Sequence, residues 1–95
     1  MDSRTPTTAP APASASRPRV QLLVKEGCHL CAAAVETVAE VCGRVGEPYE
    51  LLDGAEHPEL LERHAEEIPV LFMDGVQRDF WRVDPVRLER MLTAA

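Results

Sequence analysis

Two cysteines separated by two residues, Cys28 and Cys31, are the residues of this chain whose types and spacing best suit chemistry. An apolar run ends at Val24, a polar turn follows, and the segment that begins at Cys28 has helical periodicity. Cysteines three positions apart in the first turn of a helix lie close enough for a disulfide. The unpaired N–H groups there favour a negatively charged sulfur, which is the form that attacks disulfides. The pattern therefore predicts a thiol–disulfide exchange site.

A Cys-x-x-Cys pair also binds metals, so zinc and iron–sulfur sites are the competing interpretation. Zinc needs four ligands, and the other candidates are Cys42, His29, His57 and His64. No second Cys-x-x-Cys or closely spaced histidine pair accompanies them, and Cys42 lies several helical turns from Cys28. We therefore assign no metal ligands, while a cluster shared between two copies of the chain stays an alternative. Cys42 itself continues the apolar stripe of the helix and is expected to be a buried hydrophobe.

The length, composition and charge limit the class of protein. Ninety-five residues suffice for one small domain, 45% of them are hydrophobic, and no apolar run has transmembrane length. The formal net charge of −6 argues against nucleic acid or an anionic membrane as a partner. Three cysteines do not make the disulfide framework of a small secreted domain, and the N-terminus lacks the apolar region of a secretory signal peptide. We therefore expect a cytoplasmic protein. We also expect a monomer.

The elements that must position the cysteines follow from the order of apolar runs and turns. Residues 1–19, rich in proline, alanine and serine, are expected to be a disordered tail, with a transit peptide as the weaker alternative. Residues 20–95 form the predicted domain. Its predicted elements are a strand at Val20–Val24, a helix from Cys28 to about Cys42 ended by Gly43 and Gly46, a strand at 49–52, a helix from Pro58, a strand at Val70–Met73, a hairpin turn at Asp74-Gly75, a strand at Val76–Phe80 and a helix capped by Asp84. This order, β-α-β-α-β-β-α, predicts an α/β fold with a four-stranded mixed sheet and three helices on its two faces.

A Cys-x-x-Cys at the first strand-to-helix junction, in this element order, resembles the thioredoxin fold. The chain is most similar to the glutaredoxin-like branch, which includes small bacterial proteins of uncharacterised function. The resemblance is carried by Lys25-Glu26-Gly27-Cys28-His29-Leu30-Cys31 and by Glu67-Ile68-Pro69-Val70. It implies a thiol–disulfide oxidoreductase of cell redox homeostasis, with Cys28 as the nucleophile and Cys31 as the resolving thiol. It also implies a cis Ile68–Pro69 bond opposite the cysteines, although only about 5–6% of X–Pro bonds in folded proteins are cis.

Two further residues near the cysteines are predicted to contact the substrate. Lys25 occupies the place of a basic residue that lies near the glutathione carboxylate in glutaredoxins, and the alternative is a solvated lysine at the end of a strand. His29 lies between the cysteines, where its imidazolium would stabilise the Cys28 thiolate, and the alternative is an exposed side chain of no consequence. Together with Ile68 and Pro69, these residues form the predicted substrate-binding set.

The chain departs from glutaredoxins at two places. The dipeptide between the cysteines is His29-Leu30 instead of Pro-Tyr, and Arg78-Asp79-Phe80-Trp81-Arg82 replaces the Gly-Gly and acidic element that holds the γ-glutamyl end of glutathione. We expect no bound cofactor, and the electron donor stays open between glutathione, another small thiol and a reductase. Trp81 is expected to be partly buried against the last helix, and the alternative is an aromatic side chain that faces the substrate. A redox-inactive interaction module with idle cysteines is the alternative function.

Overall fold

The computed structural model describes residues 18–94, and the expectations for residues 1–17 and for Ala95 fall outside this part of the chain. In chain order its elements are β1 (Val20–Val24), α1 (His29–Val45), β2 (Tyr49–Asp53), a 3₁₀ turn (Gly54–Glu56), α2 (Pro58–Arg63), β3 (Val70–Met73), β4 (Val76–Phe80) and α3 (Pro85–Thr93). The predicted element order is therefore confirmed. None of the helices within this part of the chain combines the length and the apolar character that crossing a membrane requires.

The strands form one mixed sheet in the order β2-β1-β3-β4. β1 pairs with β2 in parallel, because α1 crosses between them. β1 pairs with β3 and β3 pairs with β4 in the antiparallel sense, so the strand that leads to Cys28 is central. Asp74 and Gly75 have φ values of 55° and 80°, which are the left-handed conformations that a two-residue hairpin turn needs. The predicted mixed sheet and its hairpin are confirmed.

Alternate residues of the sheet face two apolar cores. On one face Leu22 packs in a cluster with Val38 of α1 and Leu88 of α3. On the other face Leu23 belongs to a cluster that Leu61 of α2 packs against. Successive side chains of a strand point to opposite faces, so the fully buried neighbours Leu22 and Leu23 place α1 and α3 on one side and α2 on the other. The prediction of helices on both faces is confirmed.

The first helix ends later than predicted. It begins at His29, with Cys28 as its N-cap, and ends at Gly46, which has a φ of 77° and donates its N–H to the Cys42 carbonyl oxygen. Gly43 lies inside the helix, so the prediction that it helps to end α1 is wrong. A glycine in a helix interior costs only about 1 kcal/mol relative to alanine, whereas a left-handed residue turns the chain out of the helix.

Arg19 joins the start of β1 to the β3–β4 turn. Its Nε and Nη2 donate to the two carboxylate oxygens of Asp74, at 3.0 and 3.1 Å. The Asp74 N–H donates in turn to the Arg19 carbonyl oxygen at 2.9 Å. Paired contacts of this kind fix the orientation of both groups. The composition of residues 1–19 placed Arg19 in the predicted tail, but these contacts attach it to the folded domain.

Candidate active site

Cys28 is the N-cap of α1, at the junction where a polar turn leads from β1 into the helix. Its backbone is extended, with φ −101° and ψ 113°, and the backbone N–H of Cys31 donates to its sulfur at 3.2 Å. An N-cap acceptor normally satisfies one of the unpaired N–H groups at the start of a helix. Here a sulfur atom takes the place of the usual side-chain oxygen, at the positive end of the helix dipole.

The two cysteines differ in exposure. Cys28 is partly exposed, whereas Cys31 is only 5% exposed. Burial raises the pKa of the Cys31 thiol to about 11, and its hydrogen bond with the Cys28 side chain acts in the same direction, while the main chain and charge of Lys25 oppose them. Both cysteines are free thiols. A disulfide that approaches the site therefore meets Cys28 first, and Cys31 lies behind it as a protonated thiol.

The Ile68–Pro69 peptide bond is cis, as the resemblance implied. Ile68 is buried in the same apolar cluster as Cys31, and Cys28 packs against this cluster. Pro69 is fully buried. The fold therefore brings Ile68 to the two cysteines, while direct contact of Ile68 and Pro69 with a substrate stays a prediction.

Lys25 and His29 are both exposed and flank Cys28 along the chain. Lys25 lines a groove of about 650 Å³, and Glu26 and Asp53 line the same groove. An anion that enters there meets one positive and two negative side chains. The predicted roles of Lys25 as an anion contact and of His29 beside the thiol stay predictions, and their exposure leaves both side chains accessible to a substrate.

Trp81, just beyond β4, lies beside the cis peptide instead of against α3. It is 52% exposed and has a φ of 64°. Its backbone N–H donates to the Pro69 carbonyl oxygen at 2.9 Å, and its indole Nε1–H donates to the Glu66 carbonyl oxygen at 2.8 Å. The expectation of burial against the last helix is wrong, because the left-handed backbone and the indole hydrogen bond hold the ring near the segment after α2.

Residues 19–93 match the family model of the glutaredoxin-like domain (DUF836). The chain belongs to this family. The match begins at Arg19, which pairs with Asp74, and ends at the last residue of α3. The glutaredoxin-like domain therefore comprises every strand and helix described above, together with Cys28 and Cys31.

The relatives of this glutaredoxin-like domain include uncharacterized proteins of Mycobacterium bovis and Mycobacterium tuberculosis. They are 32% identical over 78 residues, which cover 77% of this chain and 80% of each relative. Among solved structures, the X-ray structure of target protein XcR50 from X. campestris is similar, with a TM-score of 0.63 and 26% identity over 80% of this chain and 97% of that chain. The solution structure of XcR50 has a TM-score of 0.61 and 31% identity over 81% and 95%. The predicted thioredoxin fold is thereby confirmed.

The buried histidine of the glutaredoxin-like domain lies apart from the cysteine pair. His64 follows α2, its Nδ1 lies 3.0 Å from Glu67 Oε1, and its ring packs edge-on against Phe72. The hydrogen bond from His64 is the main cause that lowers the pKa of Glu67. Within residues 18–94, no three Cys, His, Asp or Glu side chains are grouped so that they could hold a metal ion. The described residues thus lend the zinc alternative no support.

Cys42 provides a pH-dependent test of thiol burial. It is 1% exposed on the inner side of α1, and burial raises its pKa to about 11, with the charge of Glu47 acting in the same direction. The unfolded thiol loses its proton near its ordinary pKa of 9.0, so the contribution to stability is complete below that pH and is lost as the pH rises towards about 11. We expect this thiol to lower the free energy of unfolding by up to about 2–3 kcal/mol over that window.

Denaturant unfolding of the reduced protein between pH 8 and pH 11 measures this effect, with Cys42→Ala as the control. The alanine variant keeps every other titrating group, so its loss of stability over the window should be smaller by the contribution of this thiol. Equal losses in the two proteins would contradict the prediction.

Proposed function

We propose that this glutaredoxin-like domain is a thiol–disulfide oxidoreductase that reduces the disulfides of proteins or of low-molecular-weight thiols. The observation that carries the proposal is the position of Cys28 at a helix N-cap, where its thiol is partly exposed. Its sulfur accepts a hydrogen bond from the Cys31 N–H, and the Cys31 thiol is buried. This arrangement gives one sulfur access to a substrate and keeps the second beside the first. The dithiol itself carries the electrons, so the proposed reaction involves no bound cofactor.

The proposed reaction transfers two electrons from the dithiol to the substrate disulfide. The Cys28 thiolate attacks one substrate sulfur, the substrate S–S bond breaks, and the departing sulfur leaves as a thiolate that takes up a proton. Cys31 then gives up its proton and attacks the Cys28 sulfur, which releases the second substrate thiol and leaves a Cys28–Cys31 disulfide. A small thiol such as glutathione, or a dithiol reductase, restores the reduced pair by the same exchange in reverse.

Neighbouring residues suit supporting roles in this reaction. The second attack requires a proton to leave the buried Cys31 thiol, and the main chain and charge of Lys25 favour that loss. We assign the exposed His29 to stabilise the Cys28 thiolate when its imidazole is protonated. We assign Ile68 to the wall of the substrate approach, on the evidence that it shares a cluster with Cys31, and we assign the fully buried Pro69 to the support behind that wall.

The setting proposed for this reaction is the cytoplasm, with a monomeric enzyme. In a reducing compartment a cysteine pair is more often catalytic than structural.

A redox titration tests the proposed function. The purified protein is equilibrated in thiol buffers of stepped potential and alkylated, and its intact mass then counts the free thiols. We expect a two-electron transition of the Cys28–Cys31 pair between about −200 and −270 mV, where glutaredoxin- and thioredoxin-type catalysts lie. Cys42, which is 1% exposed, is the internal control and should stay unoxidised throughout.

Two results would refute the proposed function. One is a pair that forms no disulfide anywhere in this range of potentials. The other is a purified protein that carries a metal ion or cluster on the two cysteines. The first result would favour a redox-inactive interaction module, and the second would favour metal binding.

A further inference from the structure

The Trp81 side chain is fixed in position and yet exposed. Its φ of 64° is unfavourable for a bulky residue, and hydrogen bonds to the carbonyl oxygens of Pro69 and Glu66 hold its backbone and its indole ring. Despite these contacts, 52% of the residue is exposed. Phe80 packs edge-on against it, with ring centroids 5.0 Å apart, and is itself 42% exposed. A strained residue that gains so little burial points to a function at the surface.

Trp81 lines two depressions. The smaller one, of about 190 Å³, extends from Trp81 to Leu30, which lies between the two cysteines in the sequence. The larger one, of about 500 Å³, has a lining that includes Phe80, Glu62 and Glu66. We call these two aromatic rings and two carboxylates the Trp81 surface. A polypeptide whose disulfide lies at the cysteines can pass over Leu30 and reach this surface.

The Trp81 surface is negatively charged. Glu62 and Glu66 are exposed, and within residues 18–94 neither carboxylate has a hydrogen-bond or ion-pair partner. Glu67 lines the same depression and accepts a hydrogen bond from His64. Arg63 in this depression and Arg82 in the smaller one contribute two positive charges, so the carboxylates still outnumber the cations. Exposed aromatic rings beside carboxylates attract a guanidinium group, which stacks on the rings and pairs with the carboxylates. The formal net charge of −6 for the whole chain acts in the same direction.

We propose that the Trp81 surface selects protein substrates by binding an arginine side chain, and more weakly a lysine, a few residues from the reactive cysteine of the substrate. This inference rests on the proposed oxidoreductase function and narrows its substrate class to proteins with a cationic segment beside their disulfide. The exchange of sulfur at Cys28 follows the same steps for every substrate. The Trp81 surface adds affinity for one class of them.

Anionic small disulfides gain nothing from this surface. The carboxylates of oxidised glutathione would meet Glu62 and Glu66, and the groove at Lys25 also presents Glu26 and Asp53. A cationic polypeptide is therefore the partner that the charges of the described residues fit best.

Matched disulfide peptides test the inference. The peptides differ in one residue, which is arginine, glutamine or glutamate and is moved through successive positions on either side of the cysteine. At the best position we expect kcat/KM to be about three- to tenfold higher for arginine than for glutamine, and lowest for glutamate. Raising the salt concentration should reduce the difference, because the charges are exposed.

Two variants and one control assign this preference to the Trp81 surface. Trp81→Gly removes the ring and suits the left-handed backbone, and Glu62→Gln combined with Glu66→Gln removes the charge but keeps the carbonyl oxygen that the indole bonds. Each change should bring the arginine-to-glutamine ratio close to one. Val86→Ala, which truncates a 61% exposed apolar side chain on α3, should keep the ratio of the unmodified protein.

A ratio near one in the unmodified protein would overturn the inference, and so would a preference that survives in both variants. A small neutral disulfide assayed in parallel separates the two proposals. Turnover of that disulfide without a preference for arginine contradicts the role of the Trp81 surface alone. Absence of turnover with every disulfide contradicts the oxidoreductase function as well.

Discussion

Replacing Cys28 by serine is expected to abolish disulfide reduction by this domain. Cys28 is the partly exposed sulfur of the pair, while Cys31 is buried beside it. A serine hydroxyl still offers a capping acceptor to the Cys31 N–H, so the helix keeps its N-cap while the nucleophile is lost. The reduction of a small neutral disulfide should fall to the uncatalysed rate, and the free energy of unfolding should change by less than about 1 kcal/mol.

Cys31→Ser separates the two attacks. Because Cys31 is assigned the second attack, this variant should accumulate a mixed disulfide at Cys28, which intact mass detects as the addition of one substrate thiol. Cys42→Ala is the matched control and should turn over substrate like the unmodified protein, since its 1% exposure keeps it away from any disulfide. Full activity of the Cys28→Ser protein would exclude that sulfur as the nucleophile. A Cys31→Ser protein that never gains a substrate thiol would exclude the order of attacks.

Replacing Leu88 by alanine is expected to cause a large loss of stability. Leu88 is the buried residue of α3, and 0% of its surface is exposed to solvent. It packs in the cluster that joins α1 to the central strands. Truncation of a buried leucine costs about 2–5 kcal/mol. The total stability of a domain of this length is about 4–11 kcal/mol, so the variant should be close to unfolding at moderate temperature.

Urea unfolding of matched variants measures this loss. Val86→Ala lies on the same helix but is 61% exposed, so it should change the free energy of unfolding by no more than about 0.5 kcal/mol. If both variants changed the free energy of unfolding by the same small amount, Leu88 would not be the residue that anchors α3.

β1 and β3 were predictable because each is a short, mostly apolar run next to a turn signal, and β4 was predictable because it follows the hairpin turn. Val20–Val24, Val70–Met73 and Val76–Phe80 agree with the predicted bounds residue for residue. The Asp74-Gly75 pair marks the hairpin, since few residues adopt its left-handed conformations. β2 extends one residue beyond its prediction because Asp53 pairs with the end of β1, which is a tertiary contact that local composition does not reveal.

Local sequence could not give the arrangement around the cysteines. The cis bond before Pro69 followed from resemblance to a family, and the burial of Ile68 with Cys31 depends on contacts between segments far apart in the chain. Trp81 was misplaced for the same reason. An aromatic residue at the end of an alternating strand is usually part-buried, and here hydrogen bonds to Pro69 and Glu66 turn it outward.

The exposed residues of the site are the least predictable part. Lys25 and His29 are exposed, so the packing of the domain does not fix the positions that their side chains would take in the proposed reaction. A fold fixes the side chains that it buries, such as Cys31, and leaves the conformation of its surface to whatever binds there.

The ion pair between Arg19 and Asp74 determines where anything joined to the N-terminal segment enters the domain. β1 has five residues and runs from this pair towards the turn before Cys28, a distance of about 16 Å. The attachment point and Cys28 therefore lie towards opposite ends of the central strand. A fluorescent label, a fused protein or a solid support that joins the domain at Arg19 is attached at the end of the sheet remote from the thiols. Attachment there leaves the end of the central strand that leads to Cys28 uncovered during a redox assay.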